Sequence, residues 1–126
     1  MLFAYAARIG LDIFHFDVDI AYLNGELEQT IYMRQPQGFV KKDQEQKVCK
    51  LKKSFYGLKQ SGRAWNNTLD KNLRVNIEFK QAAWDRSVYY YRNPHHKNLL
   101  IILAVYVDDI ILFTNSQVYL NHVQQI

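Results

Sequence analysis

The sequence lacks the features of a secreted, disulfide-bonded or membrane-spanning protein. Cysteine occurs once, at Cys49, so no disulfide can form within the chain, and a reducing intracellular compartment suits it. The longest uninterrupted apolar run, residues 99–107, has nine residues, whereas a membrane-spanning helix needs about 20. No basic residues precede the short apolar start of the chain, as they would in a signal peptide. Because repeats and low-complexity tracts are lacking too, we expect one globular domain.

The positive charge of the chain is concentrated in one segment. The formal net charge is +4, yet residues 41–63, the basic segment, carry eight basic and two acidic side chains. The other 103 residues are net negative. Such a concentration is typical of a surface for a polyanion such as nucleic acid, and a solvated, lysine-rich loop explains it equally well.

The most unusual stretch is residues 99–113, LLIILAVYVDDIILF, in which thirteen of fifteen residues are apolar or aromatic. The other two are the adjacent acids Asp108 and Asp109. The pattern predicts a hairpin with strands over residues 99–105 and 110–113 and a turn over 106–109. Burying unpaired carboxylates costs several kcal/mol, so two acids inside such an apolar frame indicate a bound cation, with a divalent metal as the first candidate.

Hydrophobic periodicity predicts an α+β fold. Trp65, Leu69, Leu73 and Ile77 recur every four residues and form one stripe of a helix over residues 63–77. This order of elements favours an antiparallel sheet with helices packed on one face. The other predicted elements are a helix over residues 1–9 ended by Gly10, a helix over 119–126, and strands over 11–18, 30–33, 48–51 and 88–92.

Asp17 lies at the C-terminal end of the predicted strand over residues 11–18, next to a turn over 19–24. Taken alone, it is well explained as a cap for that turn. If this strand lies beside the hairpin, Asp17, Asp108 and Asp109 converge into a site for hard cations. Two such ions roughly 3.5–4 Å apart stabilise the attacking and leaving oxygens of a phosphoryl transfer. Together with the basic segment, this favours nucleotidyl transfer, although the spacing does not separate a polymerase from a nuclease.

Two other groups of residues have structural explanations as well as functional ones. Aromatic and basic side chains alternate over residues 54–65, which suits a groove that follows a nucleic-acid backbone, while Trp65 itself fits the core better. His95 and His96 have no third histidine or cysteine nearby, so we expect exposed loop residues rather than metal ligands.

Three blocks of the sequence resemble the reverse transcriptases of copia-type LTR retrotransposons. The blocks are FDVDIAYLNGELEQTIYMRQPQGF at residues 16–39, VCKLKKSFYGLKQSGRAW at 48–65, and LAVYVDDIILF at 103–113, which contains the YxDD box. They stand in the family's order and spacing, and the resemblance extends over residues 1–126. It implies a reverse transcriptase palm with a ferredoxin-like antiparallel sheet, incomplete fingers, and no thumb or RNase H region.

The resemblance implies an RNA-directed DNA polymerase that adds dNTPs to a primer 3′-OH with two Mg²⁺ ions, or Mn²⁺, as cofactor. The implied partners are an RNA or DNA template with its primer, dNTP, and the remaining segments of a Pol polyprotein, in the cytoplasm or in a virus-like particle. The alternative is a truncated or co-opted fragment that binds nucleic acid through the basic segment without catalysis.

The resemblance also implies roles for single residues. Asp17, Asp108 and Asp109 match the catalytic, metal-binding aspartates, and Val18 matches the residue whose backbone carbonyl also reaches the metal. Tyr22 matches the aromatic gate that excludes a ribose 2′-OH. The positions matched to the nucleotide pocket are Tyr22, Gly57 and Gln60, and those expected to contact nucleic acid are Lys52, Lys53, Lys59, Arg63, Tyr106 and Val107.

Two positions depart from the family pattern. Gly62 stands where a proline is usual, and Asp19 stands where a lysine or another polar residue is usual. Asp19 adds a negative charge two residues from Asp17, which we expect to weaken nucleotide binding.

Overall fold

The computed structural model describes residues 1–93 and 99–116. His95, His96 and the helix predicted over residues 119–126 lie outside this described part. The helices within it are α1 (Leu2–Ile9), α2 (Ala21–Asn24) and α3 (Ser61–Lys71), which continues into a π-helix (Asn72–Asn76). The strands are β1 (Asp12–Asp17), β2 (Tyr32–Arg34), β3 (Val48–Lys50), β4 (Lys80–Gln81), β5 (Val88–Arg92), β6 (Leu100–Tyr106) and β7 (Asp109–Thr114).

The chain, for which the sequence predicts one domain over residues 1–126, divides into two compact units. Unit 1 comprises Met1–Ile20 and Leu69–Ile126, and unit 2 comprises Ala21–Thr68. Unit 1 contains a five-stranded sheet in the order β1-β7-β6-β5-β4, in which every neighbouring pair is antiparallel. Unit 2 contains the antiparallel pair β2–β3. The predicted antiparallel sheet is therefore confirmed.

The predicted hairpin forms the centre of unit 1 as β6 and β7. Leu103 and Leu112 are register partners, and both side chains are almost fully buried. Burying a leucine side chain contributes about 1.5–3 kcal/mol, so the apolar residues of this hairpin anchor the sheet.

Helix α1 covers one face of the sheet. Gly10 ends the helix in a left-handed conformation with φ of 70°, as its sequence position predicts. Ala6 and Leu11 belong to a buried cluster with Val88, Ile102 and Phe113. Side chains alternate between the two faces of a strand. Val88, Ile102 and Phe113 therefore mark the face of the sheet that α1 covers.

The C-terminal part of α3 lies against the opposite face. Tyr89 neighbours Val88 in β5 and so points to the other side of the sheet, where its hydroxyl donates a hydrogen bond of 3.1 Å to Asp70. Leu69 and Leu73 are fully buried, as the predicted stripe requires. The expectation that helices pack on one face only is therefore wrong. A sequence pattern shows which side of a helix is apolar but not which face of the sheet receives it.

Local winding explains the other differences from the sequence prediction. The long helix begins at Ser61, two residues before the predicted start, and changes to π-helical winding at Asn72. The end of the helix is closed by the Phe79 N–H, which donates to the Leu73 carbonyl at 2.9 Å. Strand β4 was not predicted, because two residues are too few to show an alternating pattern. Helix α2 occupies part of the turn predicted over residues 19–24. No helix in the described ranges is both long and apolar enough to cross a membrane.

Candidate active site

The register of unit 1 brings Asp17 and Asp109 together. Asp17 is the last residue of β1, and its direct partner is Asp109, the first residue of β7. Directly opposite residues of an antiparallel pair project to the same face, with Cβ atoms about 4.5–5.5 Å apart. The prediction that the strand carrying Asp17 lies beside the hairpin is therefore confirmed.

The hairpin turn consists of Val107 and Asp108, between the register partners Tyr106 and Asp109. Val107 has a φ of 57°. A positive φ at the first central residue matches the twist of a two-residue hairpin, but for a β-branched residue it costs roughly 1–2 kcal/mol. The turn is also fixed to β1, because the Val18 N–H donates to the Asp108 carbonyl at 2.9 Å. Val18 and Asp108 thereby extend the β1–β7 pairing past Asp17.

The acids of the hairpin are not buried, which corrects the expectation drawn from their apolar neighbours. The side chain of Asp109 is 51% exposed, Asp17 is exposed, and Asp108 is half-buried. The apolar residues belong to strand interiors that face the core, whereas the acids lie where the strands end. Desolvation therefore does not demand a cation here.

His15 contacts the Asp109 carboxylate. Its Nε2 lies 2.8 Å from Oδ1 of Asp109, and both side chains are more than half exposed. His15 lies two residues before Asp17 on β1, so it shares the face of Asp17 and Asp109. His15 was not predicted as a site residue, although the alternation of β1 places it on the same face as Asp17.

The three carboxylates do not converge into one cluster. Across the described ranges 1–93 and 99–116, no group of three or more histidine, cysteine, aspartate or glutamate side chains is arranged to hold a metal ion. Successive residues of a tight turn project in different directions, and opposite carboxylates repel each other. The structure therefore brings Asp17 and Asp109 together and leaves Asp108 in the turn. Two exposed carboxylates on one face still fit Mg²⁺, which takes one or two protein carboxylates and completes its shell with water and phosphate oxygens.

In unit 2, the residue matched to the aromatic gate is held by its neighbours. The rings of Tyr22 and Tyr56 make an edge-to-face contact, with centroids 4.4 Å apart. The Ser54 hydroxyl donates to the Tyr22 carbonyl, and the Ser54 N–H donates to the Gly25 carbonyl at 3.2 Å. A Cβ on Gly25 would lie 2.8 Å from the Ser54 Oγ and from the Trp65 nitrogen, so only glycine fits. Sequence reasoning identified Tyr22 but missed Ser54 and Gly25 as its support.

The residues predicted to contact nucleic acid or nucleotide in unit 2 lie at its surface. Gly57 is in a left-handed conformation with φ of 96°, in the loop that leads to α3. Gln60 is exposed, and its carbonyl accepts the Ala64 N–H at 2.9 Å. The predicted core position of Trp65 is confirmed, since this side chain is 4% exposed. The basic residues Lys52, Lys53, Lys59 and Arg63 are all exposed, and within the described ranges none of them forms an ion pair.

The two departures from the family pattern are both at the surface. Gly62 is the second residue of α3, within the first turn, where helix N–H groups lack intrahelical partners and proline is tolerated. A Cβ there would meet no atom within 4 Å. Asp19 is exposed in the turn after β1.

A model of the family described as reverse transcriptase (RNA-dependent DNA polymerase) matches residues 1–126. The chain belongs to the reverse transcriptase family. It is 40% identical over 111 residues to a retrovirus-related Pol polyprotein from transposon TNT 1-94 of Nicotiana tabacum, an alignment covering 88% of this chain and 8% of that protein. It is 41% identical over 106 residues to the retrovirus-related Pol polyprotein from transposon RE2 of Arabidopsis thaliana, an alignment covering 84% of this chain and 7% of that protein.

A shorter yeast relative shows the same similarity. The chain is 33% identical over 109 residues to a putative transposon Ty5-1 protein of Saccharomyces cerevisiae, covering 86% of this chain and 34% of that protein. The chain thus spans less than a tenth of the length of the plant Pol polyproteins it matches. No solved structure matches the chain.

Proposed function

We propose that this chain is the catalytic palm of an RNA-directed DNA polymerase from a copia-type retrotransposon. In the proposed reaction, the primer 3′-OH attacks the α-phosphorus of a dNTP. A P–O bond to the primer forms, the bond to the β-phosphate breaks, pyrophosphate leaves, and the hydroxyl proton passes to solvent. The observation that carries the proposal is the register pairing of Asp17 with Asp109, beside a turn that contains Asp108.

The donor set on unit 1 suits magnesium. Asp17 and Asp109 would provide carboxylate oxygens from one face. The family resemblance adds Asp108 and the Val18 carbonyl as further proposed ligands. When bound, two Mg²⁺ ions lower the pKa of the attacking hydroxyl and neutralise charge on the leaving pyrophosphate. The mutual repulsion of the two opposed carboxylates would fall on cation binding, which favours occupancy of this face.

The protein's own residues would position the substrates. Tyr106 is 78% exposed at the end of β6, and with Val107 it would lie near the primer terminus. In unit 2, the ring of Tyr22, held by Tyr56, would exclude a 2′-OH and so select deoxynucleotides. Gly57 and Gln60 would shape the nucleotide pocket.

The surface charge would hold the nucleic acid. Lys52, Lys53, Lys59 and Arg63 are exposed cations that would contact template or primer phosphates and thereby release counterions. The remaining segments of a Pol polyprotein are proposed partners.

A second candidate function is nucleic-acid binding without catalysis. The observation in its favour is the same set of exposed basic residues, because they need no metal and no dNTP to bind a polyanion. Such binding weakens steeply as salt rises and requires neither Mg²⁺ nor dNTP.

Primer extension on an RNA template separates the two candidates. We expect the wild-type chain to extend a DNA primer with Mg²⁺ and dNTPs, and Asp109→Asn to abolish extension and to weaken Mn²⁺ binding in a direct titration. Asp12→Asn is the matched control: Asp12 is an exposed acid at the other end of β1, paired with Thr114, and its loss should leave extension unchanged. Salt-sensitive RNA binding by a wild-type chain that extends no primer would instead favour the second candidate.

A further inference from the structure

The β2–β3 hairpin of unit 2 combines exposed aromatic rings with uncompensated positive charge. Residues 32–50 contain five basic and two acidic side chains. Tyr32 is 60% exposed and Phe39 is 81% exposed. Exposed aromatic rings among cations suit a surface that stacks on unpaired bases and contacts phosphates.

One face of the hairpin strands is open. Tyr32 pairs with Lys50 and Arg34 pairs with Val48, and all four residues are exposed. Residues two apart on a strand share a face, as do register partners, so these four side chains form one surface. The intervening residues Met33 and Cys49 are only partly exposed and project to the other side. An aromatic ring and two cations therefore lie together on the open face.

The loop that joins the strands is held in a defined shape by Gln35. Its side-chain amide donates to the carbonyls of Gln44 at 2.6 Å and Lys47 at 2.9 Å. Its Oε1 accepts the Lys41 N–H at 2.9 Å. One side chain thus joins three points of the loop, which lowers the entropy lost when a ligand binds to it.

A tight turn presents Phe39 at the start of this loop. The Phe39 N–H donates to the Pro36 carbonyl at 3.0 Å, and Gly38 has a φ of 83°. This combination defines a type II turn, in which the third residue needs a positive φ. Lys41 and Lys42 follow Phe39 after one intervening residue, and both are exposed and, among the described residues, without ion pairs. Glu45 is turned back onto the loop, where it accepts the Asp43 N–H at 3.1 Å.

We propose that this hairpin binds single-stranded nucleic acid, with Tyr32 and Phe39 stacking on unpaired bases and with Lys41 and Lys42 contacting phosphates. Aromatic rings among cations are the general means by which proteins bind unpaired strands, because every base has a stacking face and every linkage a charge. The inference rests on the proposed function in taking the polyanion to be a nucleic acid. It adds Tyr32, Phe39, Lys41 and Lys42 to the residues that the proposed function uses.

Binding of a single-stranded RNA oligonucleotide, followed by fluorescence anisotropy at several salt concentrations, tests the inference. We expect Phe39→Ala to weaken binding about tenfold without changing the salt slope, since one stacking contact is lost and no phosphate contact. Phe39→Tyr should bind like wild type, and Phe39→Leu should bind like the alanine variant if stacking rather than general apolar contact matters. Lys41→Gln combined with Lys42→Gln should reduce the salt slope by about 1.4, because each phosphate contact contributes about 0.7 on a single strand.

The matched control is Trp84→Ala. Trp84 is another exposed aromatic residue, 65% exposed and next to Asp85 in unit 1, and its loss should leave RNA binding unchanged. Equal binding by wild type and Phe39→Ala would overturn the stacking role even if primer extension succeeds, and so would an equal loss in Trp84→Ala. A wild-type chain that binds no RNA would overturn both this surface and the nucleic-acid part of the proposed function. Because Phe39 is so exposed, its variants should unfold at the wild-type temperature.

Discussion

Replacing Tyr89 with phenylalanine tests the contact between β5 and α3. Tyr89 is 1% exposed. Its hydroxyl donates to Asp70 Oδ1 at 3.1 Å and accepts a hydrogen bond from Gln81 Nε2 at 3.2 Å. Burial, and next the negative charge of Asp70, raise the pKa of Tyr89 from 10.0 to about 12. The variant Tyr89→Phe removes the hydroxyl and its proton and leaves the ring in place.

The expected loss of stability depends on pH, and its sign follows from the raised pKa. Below pH 10 the hydroxyl is protonated in both states, and Tyr89→Phe should lower the free energy of unfolding by about 1–2 kcal/mol, because the bond to the Asp70 carboxylate is lost. Between pH 10 and 12 the unfolded chain releases the proton while the folded chain keeps it, so the wild type loses stability as pH rises. For a shift of about two units, this loss is about 1 kcal/mol at pH 11 and about 2 kcal/mol at pH 12.

Urea unfolding of the two proteins in parallel from about pH 8 to pH 11 measures the difference. All other residues are the same in both chains, so their contributions cancel in the comparison. We expect the advantage of the wild type to shrink to near zero at about pH 11. The free energy of unfolding of Asp70→Asn should fall less steeply with rising pH than that of the wild type. Tyr89 remains buried in this variant, but the negative charge beside its hydroxyl is removed. A difference that stays constant over this range would refute the raised pKa and the packing that causes it.

Three further substitutions compare positions that differ in how far the backbone and its surroundings restrict a side chain. Gly25→Ala should lower the free energy of unfolding by about 1–3 kcal/mol in urea titrations, because the new Cβ would lie 2.8 Å from a backbone nitrogen. Gly62→Ala, where a Cβ meets nothing within 4 Å, should raise it by about 0.5–1 kcal/mol; equal effects of the two would show that the space around Gly25 is not limiting. Val107→Gly should raise the thermal unfolding midpoint, since relief of roughly 1–2 kcal/mol of left-handed strain outweighs the entropy of glycine. A lower midpoint would mean that packing of the valine side chain dominates.

Residues close in sequence determined the elements of this protein. The four-residue spacing of Trp65, Leu69 and Leu73 predicted the long helix, and Gly10 predicted the end of α1, because both depend on local backbone geometry. The YVDD turn and the strand that ends at Asp17 were likewise readable, since alternation and turn positions are local patterns. The family resemblance then gave these acids an expected role.

Only the tertiary structure decided how the elements meet. The contact of His15 with Asp109 joins residues 94 positions apart, and nothing in either local sequence encodes the register that creates it. The same holds for the opposite faces taken by α1 and α3, and for the exposure of Asp109 beside so many apolar neighbours. Local patterns record the surface that each element must bury, whereas strand order, register and the covering of each face follow from long-range packing of the whole chain.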